Sequence, residues 1–352
     1  MSANIDDLRI RNLRELLTPE ALIAEMPASN DLAQHVTDAR SDIQAVLNQS
    51  DDRLVVVVGP CSIHDPVAAV DYARRLKTVA EQVEDELLII MRVYFEKPRT
   101  TVGWKGLIND PHLDDSFDVT EGLRRARKLL LDINALGLPT ATEYLDLISP
   151  QYIADLISWG AIGARTTESQ SHRELASGLS CPVGFKNGTG GNIQIAVDAI
   201  GAAQNSHHFL SVTKGGQSAI FETEGNPDCH LILRGGPQPN YDMFSVDDAC
   251  AALVRAGLQE SIMIDASHAN SRKQPARQMA VAEDIASQLD RGDRRIIGVM
   301  LESFIEAGRQ DVKNKDELVY GKSITDPCMD WQQTVETLRC LATSVTERRN
   351  AP

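Results

Sequence analysis

Three cations, Arg92, Lys97 and Arg99, fall within eight residues of the chain, just after the apolar run Leu87 to Met91. An unbroken run of that kind reads as a strand buried on both faces, as in a parallel sheet. Cations directly past its end have no packing role and suit a phosphate or a carboxylate. The plain alternative is a solvated basic turn. Against it stand Pro98, which stiffens the segment, and the return of a cation at the ends of later apolar runs, at Arg165, Lys186 and Arg234. The loop that follows, to about Phe117, is too long for a simple connection, and long loops without regular structure are usually functional.

A second group is Cys61, His268, Glu302 and Asp326. Thiolate, imidazole and two carboxylates make a mixed soft and hard donor set. It suits Mn, Fe, Co or Zn better than Mg or Ca. Taken singly, each residue has an ordinary reading: a lone Cys is a small buried hydrophobe, a lone His a satisfied core residue, and an Asp in a loop is common. A Ser-His-Asp site is not supported, because the chain has no nucleophile elbow. Asn187-Gly188-Thr189-Gly190-Gly191 ahead of a helix reads either as an anion cradle of backbone N–H groups or as a flexible turn.

The elements that must position these residues repeat as strand, turn and helix. Strands are expected over Leu54–Val58, Leu87–Val93, Pro139–Glu143, Ala161–Arg165, Pro182–Lys186, Leu231–Arg234, Ser261–Asp265 and Ile296–Glu302. Asp65-Pro66 opens one intervening helix and Ser149-Pro150 another. Others start near Ser245 and Arg272, and a last one runs from about Trp331 to Val345. Phe209–Val212 and Ser218–Phe221 around Lys214-Gly215-Gly216 read as an inserted β-hairpin. Eight strands, each followed by a helix, favour an α/β fold of the (β/α)8 TIM-barrel type over an open sheet, which would need a Gly-rich nucleotide fingerprint after its first strand. Residues 1–50 read as a mostly helical N-terminal arm and 51–352 as the barrel, with the hairpin at about 208–223. In a barrel, chemistry gathers at the C-terminal strand ends. Those ends carry Cys61, Arg92 with Lys97, Glu143, Arg165, Lys186, Arg234, His268 and Glu302. Five basic residues on one mouth point to a small anion with more than one negative group.

Bulk properties narrow the partners. The chain has 352 residues, with 35 Lys plus Arg against 50 Asp plus Glu, a net charge of -15. That argues against nucleic acid or an anionic membrane. No apolar run reaches the length of a membrane span. Met1 to Arg14 is charged and lacks the apolar core of a signal peptide. Six Cys with no CxxC pair suggest reduced thiols and a cytoplasmic protein.

Longer motifs carry a resemblance. Gly59-Pro60-Cys61-Ser62-Ile63-His64-Asp65, Arg92 through Lys97-Pro98-Arg99-Thr100 to Gly103-Trp104-Lys105-Gly106, and Gly163-Ala164-Arg165-Thr166-Thr167-Glu168-Ser169-Gln170 are three of them. Gly184-Phe185-Lys186-Asn187-Gly188-Thr189, Leu233-Arg234-Gly235-Gly236, Asp265-Ala266-Ser267-His268-Ala269-Asn270 and Tyr320-Gly321-Lys322-Ser323-Ile324-Thr325-Asp326 are the rest. Together they resemble type I 3-deoxy-D-arabino-heptulosonate-7-phosphate (DAHP) synthase over almost the whole chain. The resemblance implies a metal-dependent condensation of phosphoenolpyruvate with erythrose 4-phosphate, the entry step of the shikimate pathway. It implies a divalent metal on Cys61, His268, Glu302 and Asp326. It implies phosphoenolpyruvate on Arg92, Lys97, Arg165, Lys186 and Arg234 with the backbone near Ala164, and the aldose phosphate on Arg99 and Thr100. Lys97 is implied as proton donor.

The resemblance also implies feedback by an aromatic amino acid at a subunit boundary of a homodimer or homotetramer. The matching positions are Asp6, Asp7, Pro150, Gln151, Leu175, Leu179, Ser180, Phe209, Ser211 and Phe221. Asp6 to Ile10 and Ser211 are most like the phenylalanine-sensitive branch, with Tyr or Trp as alternatives. Phe221 is bulkier than the branched aliphatic residue expected there. Two rival readings are a sister enzyme using arabinose 5-phosphate and a non-catalytic metal and anion sensor. The Lys97-Pro98-Arg99-Thr100 stretch argues against the first, and an intact Lys97 against the second.

Overall fold

The computed structural model describes residues 5–99 and 101–351. Eight parallel strands close into a barrel: β1 (Leu54–Gly59), β2 (Leu87–Arg92), β3 (Thr140–Glu143), β4 (Trp159–Ile162), β5 (Val183–Lys186), β8 (Cys229–Leu233), β9 (Ile262–Asp265) and β10 (Ile296–Glu302). β10 returns beside β1, with Gly59 paired to Glu302, and β2 closes on the other side of β1. Every residue of β1, β2 and β10 is buried, which is why these strands read as unbroken apolar runs.

Alternate residues face two cores. Val55, Val57, Leu88, Ile90, Trp159, Ile232, Met263 and Met300 fill the barrel interior. Val56, Val58, Ile89, Met91, Leu231 and Leu233 pack outward on the helices. Of the N-terminal elements, α1 (Pro19–Glu25) is short and α2 (Asn30–Leu47) is long. Ile43, Val46 and Leu47 of α2 join the interior cluster. Gln259 Nε2 and Ser261 Oγ donate to the Leu47 carbonyl at 2.8 and 3.1 Å. α2 thus plugs the N-terminal end of the barrel and leaves the opposite end free.

The outer helices are α3 (Pro66–Ala80), α4 (Val119–Ala135), α5 (Pro150–Ile153), α6 (Gln170–Ser177), α7 (Gln194–Ala203), α8 (Met243–Arg255), α9 (Arg277–Asp290) and α10 (Trp331–Asn350). Asp65 caps α3 by accepting from Val67 N and Ala68 N, and Asp330 with Gln333 forms a capping box on α10. The hairpin is β6 (His208–Val212) and β7 (Ser218–Glu222), outside the barrel sheet. A small sheet of β11 (Glu306–Arg309) and β12 (Lys322–Ser323) follows β10. No helix among the described residues is long and apolar enough to cross a membrane.

Several boundaries differ from expectation. The strand expected at Ala161–Arg165 is Trp159–Ile162, because Trp159 is fully buried inside the barrel; Arg165 lies in the following turn. Arg234 and His268 likewise fall beyond their strands. The helix expected near Arg272 begins at Arg277, since His268, Arg272 and Lys273 take left-handed backbone angles of 51°, 52° and 56° and hold the chain in turns. Ser149 does not cap α5 with its side chain; Asp146 Oδ1 instead accepts from Ile148 N and Ser149 N. Residues 5–18 are not helical. Ile5, Leu8, Ile10 and Leu13 are exposed there, and so short a helix without a buried face is marginal in water.

Candidate active site

All eight parallel strands deliver their C-terminal ends to one mouth, where a cavity of about 240 Å³ opens. Cys61, Arg92, Lys97, Arg99, Ala164, Arg165, Lys186, Arg234, His268 and Asp326 line it. Thr100 lies outside the described residues. Arg92, Lys186 and Glu302 are the last residues of β2, β5 and β10. Cys61 sits two residues past β1, in a turn held by Arg92, whose Nε and Nη2 donate to the Pro60 and Cys61 carbonyls at 2.9 and 3.1 Å. Gly59 makes this close approach feasible: a Cβ there would meet the Arg92 carbonyl oxygen at 2.7 Å. Asp326 comes from a distant loop laid along the end of β10. Met329 N donates to the Glu302 carbonyl and Phe304 N to the Met329 carbonyl, both at 2.9 Å.

Donor atoms of Cys61, Glu302 and Asp326 lie within 4.8 Å of one another. His268 stands at the edge of this group, with Nε2 3.7 Å from Glu302 Oε1. Its Nδ1 is 2.8 Å from Asp265 Oδ2 and 2.7 Å from Ser267 Oγ. Those contacts assign the proton to Nδ1 and leave the Nε2 lone pair toward the cluster, the arrangement of a metal-ligating histidine. Two carboxylates and a thiol gathered this closely fit a divalent cation, to which the sulfur would bind as thiolate. The thiol favours a transition metal over Mg or Ca.

The cations around the set are paired. Arg92 Nη2 is 3.2 Å from Glu302 Oε1, with both side chains buried, and its guanidinium lies 3.5 Å over the Tyr94 ring. Lys97 Nζ is 2.7 Å from Asp326 Oδ2 and 3.0 Å from Cys61 Sγ. Burial alone would lower the Lys97 ammonium, but Cys61, Glu302 and Asp326 outweigh it and hold it well above the ordinary lysine value. Burial pushes the Asp326 carboxyl up, and Lys97 more than reverses this. Burial, with Glu302, raises the Cys61 thiol. Lys186 Nζ donates to Asp265 Oδ2 at 2.9 Å. Arg165 and Arg99 are exposed at the rim, and Arg99 Nε donates to the Trp104 carbonyl at 2.8 Å.

The geometry adds Asp265, Gln278 and Lys273, and sets Glu143, one of the strand-end residues, against the cavity. Asp265 holds both Lys186 and His268. Gln278 on α9 clasps Glu302 by two bonds, Nε2 to the Glu302 carbonyl at 2.9 Å and Glu302 N to Oε1 at 2.8 Å. Glu143 ends β3 at the cavity, and a Cβ on Gly163 would meet its Oε1 at 2.2 Å. Lys273 Nζ stands 3.5 Å from Asp326 Oδ1. The one sequence clue to Asp265 and Glu143 is that each is a carboxylate closing a buried strand. The glycine loop after Lys186 bonds partly to itself, Gly191 N to the Gly188 carbonyl and Gly188 N to the Asn192 carbonyl, while Thr189 reaches the cavity.

A family model described as the DAHP synthetase I family matches residues 28–339. The chain belongs to this family. It is 60% identical over 349 residues to the Phe-sensitive phospho-2-dehydro-3-deoxyheptonate aldolase of Escherichia coli, covering 99% of this chain and 100% of that one. It is 58% identical over 343 residues to the Trp-sensitive enzyme of Enterobacter agglomerans, covering 97% and 99%. A solved structure of phospho-2-dehydro-3-deoxyheptonate aldolase from Francisella tularensis superposes with a TM-score of 0.95 at 52% identity, covering 97% of this chain and 99% of that one. As a DAHP synthase the chain is a transferase that condenses phosphoenolpyruvate with erythrose 4-phosphate, the first step of the shikimate pathway.

In this DAHP synthase none of the positions matched to an effector lines the cavity at the mouth. Lys214, in the hairpin turn, donates through Nζ to the Gln151 carbonyl, and its own carbonyl accepts from Glu20 N at 2.8 Å. The turn thus meets both α5, which begins at buried Pro150, and the start of α1. The base of the hairpin is tied to α6, where Ser177 Oγ and Thr223 Oγ1 are 2.7 Å apart. Leu175 is buried on α6, Leu179 half-buried beyond it and Ser180 exposed. Phe209 and Phe221 pair across the strands with ring centroids 5.9 Å apart, so the added ring of Phe221 packs on Phe209. Ser211 is half-buried on β6. Asp6 and Asp7 lie in an exposed turn ahead of α1, Asp7 at a left-handed φ of 56°.

Proposed function

We propose that the cavity holds phosphoenolpyruvate on Arg92, Lys97, Arg165, Lys186 and Arg234 with the Ala164 backbone, and the aldose phosphate on Arg99 and Thr100. The observation that carries this is the lining itself: six of the seven named side chains border one cavity in a chain of net charge -15. A carboxylate and a phosphate on one small molecule need several fixed cations, and Arg forks bind either group bidentately.

C3 of phosphoenolpyruvate attacks the aldehyde carbon of erythrose 4-phosphate. Water adds at C2, and phosphate leaves by C–O cleavage. Lys97 gives a proton to the oxygen of the former aldehyde; beside Cys61, Glu302 and Asp326 its side chain stays an ammonium, so the proton is in place to be given. Lys186 and the arginines stabilise charge on the carboxylate and phosphate. A divalent transition metal on Cys61, His268, Glu302 and Asp326 supplies Lewis acidity toward the aldehyde oxygen when bound. Turnover of phosphoenolpyruvate with erythrose 4-phosphate tests this reading.

We also propose feedback by an aromatic amino acid, Phe first, at Asp6, Asp7, Pro150, Gln151, Leu175, Leu179, Ser180, Phe209, Ser211 and Phe221 in a homodimer or homotetramer. Support comes from relatives named Phe-sensitive and Trp-sensitive and from the meeting of hairpin, α5 and α1. Inhibition by Phe, Tyr and Trp in turn identifies the effector, and Ser180→Phe, which fills an exposed position, is expected to relieve it. The free cysteines favour a cytoplasmic enzyme.

A further inference from the structure

The anion site and the metal-type site share one carboxylate. Asp265, the last residue of β9, is fully buried. Its Oδ2 accepts from Lys186 Nζ at 2.9 Å and faces His268 Nδ1 at 2.8 Å. Its Oδ1 accepts from Ser267 N at 3.0 Å and from Ser267 Oγ at 2.6 Å, so the carboxylate is pinned at both oxygens. Lys186 reaches the cavity on one side, and His268 Nε2 looks toward Glu302 on the other.

One oxygen serving two donors divides its hydrogen-bonding power between them. A carboxylate on Nδ1–H raises the basicity of Nε2 as a donor to a metal. We infer that Asp265 couples the two sites: an anion that draws the Lys186 ammonium toward itself leaves more of Oδ2 to His268, and Nε2 becomes the stronger metal donor. By linkage the metal then tightens the anion by the same factor. Asp265 does not line the cavity and acts through Lys186 and His268, so it is a positioning residue. The inference rests on the reading that phosphoenolpyruvate takes Lys186 and a divalent cation takes His268. Direct attraction between an anion and a dication would also couple the sites, without needing Asp265.

The test is equilibrium binding of Mn²⁺ to the metal-stripped full-length enzyme, read by the paramagnetic resonance of free Mn²⁺, with and without phosphoenolpyruvate. No aldose phosphate is present, so nothing turns over. Phosphoenolpyruvate is expected to tighten Mn²⁺ at least about fivefold, the low end of ordinary coupling. In Asp265→Asn the Mn²⁺ affinity is expected to fall about 10- to 100-fold, and the coupling to drop below about twofold. Lys186→Met gives a second arm should that variant fail to fold: with Oδ2 left to His268 alone, it is expected to bind Mn²⁺ more tightly than the parent when phosphoenolpyruvate is absent. Full coupling in Asp265→Asn, or no tightening in Lys186→Met, would overturn the inference and leave the active-site reading standing. Independent binding of the two ligands to the parent would do the same. Failure of the parent to bind Mn²⁺ or phosphoenolpyruvate would instead sink the active-site reading.

Discussion

Lys97 and Asp326 form an ion pair of 2.7 Å although they are far apart in the chain, and the same Lys97 Nζ stands 3.0 Å from Cys61 Sγ. The proposed proton donor is therefore built into the wall of the metal-type set, not merely near it. Replacing it removes a proton source while leaving the arginines that bind anions in place. Lys97→Met is expected to lower kcat by about a hundred- to ten-thousand-fold, the ordinary range for loss of a general acid. A rise in KM for phosphoenolpyruvate with kcat unchanged would reassign Lys97 to binding alone.

Arg92 and Glu302 form a pair in which both side chains are about 3% exposed. Removing one member of a buried pair leaves the other charge uncompensated, at a cost of about 3–5 kcal/mol. Arg92→Leu is expected to lower the denaturant midpoint accordingly. Arg92→Lys keeps the charge but loses the fork onto Pro60 and Cys61, so it should lose less stability while still raising KM for phosphoenolpyruvate. Equal stability of parent and Arg92→Leu would contradict this account.

Glu96 predicts a pH dependence. Burial, with the nearby Asp146 carboxylate, pushes its carboxyl up from 4.5 to about 7, against the donors Asp146 N and Ser149 Oγ. A raised acid is protonated in the folded state while the unfolded chain has already released its proton. Its contribution to stability is therefore greatest at and below pH 4.5, falls as pH rises to about 7, and is flat above. The full change is on the order of 3 kcal/mol, at 1.36 kcal/mol per unit. Glu96→Gln is expected to flatten melting temperature against pH between pH 5 and 7 and to raise it at pH 8. A parent and variant with the same slope would show that Glu96 stays charged throughout.

Much of this was legible in the chain because a buried parallel strand announces its own end. Arg92, Lys186 and Glu302 each stop an apolar run, and each sits at the mouth. The barrel followed from counting such runs once the hairpin was set aside. The use of Asp265 depends on Lys186 and His268 arriving from two directions, and pattern alone shows neither. Gln278 was hidden for the same reason, as a polar residue on a helix whose partner is the backbone of another element. The start of the strand at Trp159 is hidden in the sequence because its tryptophan looks like the end of a loop until the barrel interior closes on it. Residues 5–18 look helical by pattern, yet their apolar side chains stay exposed and nothing fixes the helix.

Function at the mouth turns on a metal-assisted condensation at the Cys61, His268, Glu302 and Asp326 set. The most direct measurement follows phosphoenolpyruvate consumption in the presence of erythrose 4-phosphate, in enzyme as purified, after stripping with EDTA, and after adding Mn²⁺ back. Turnover is expected in the purified enzyme, lost on stripping and restored by Mn²⁺, with no return in His268→Ala or Cys61→Ala. Undiminished turnover after complete metal removal would contradict it.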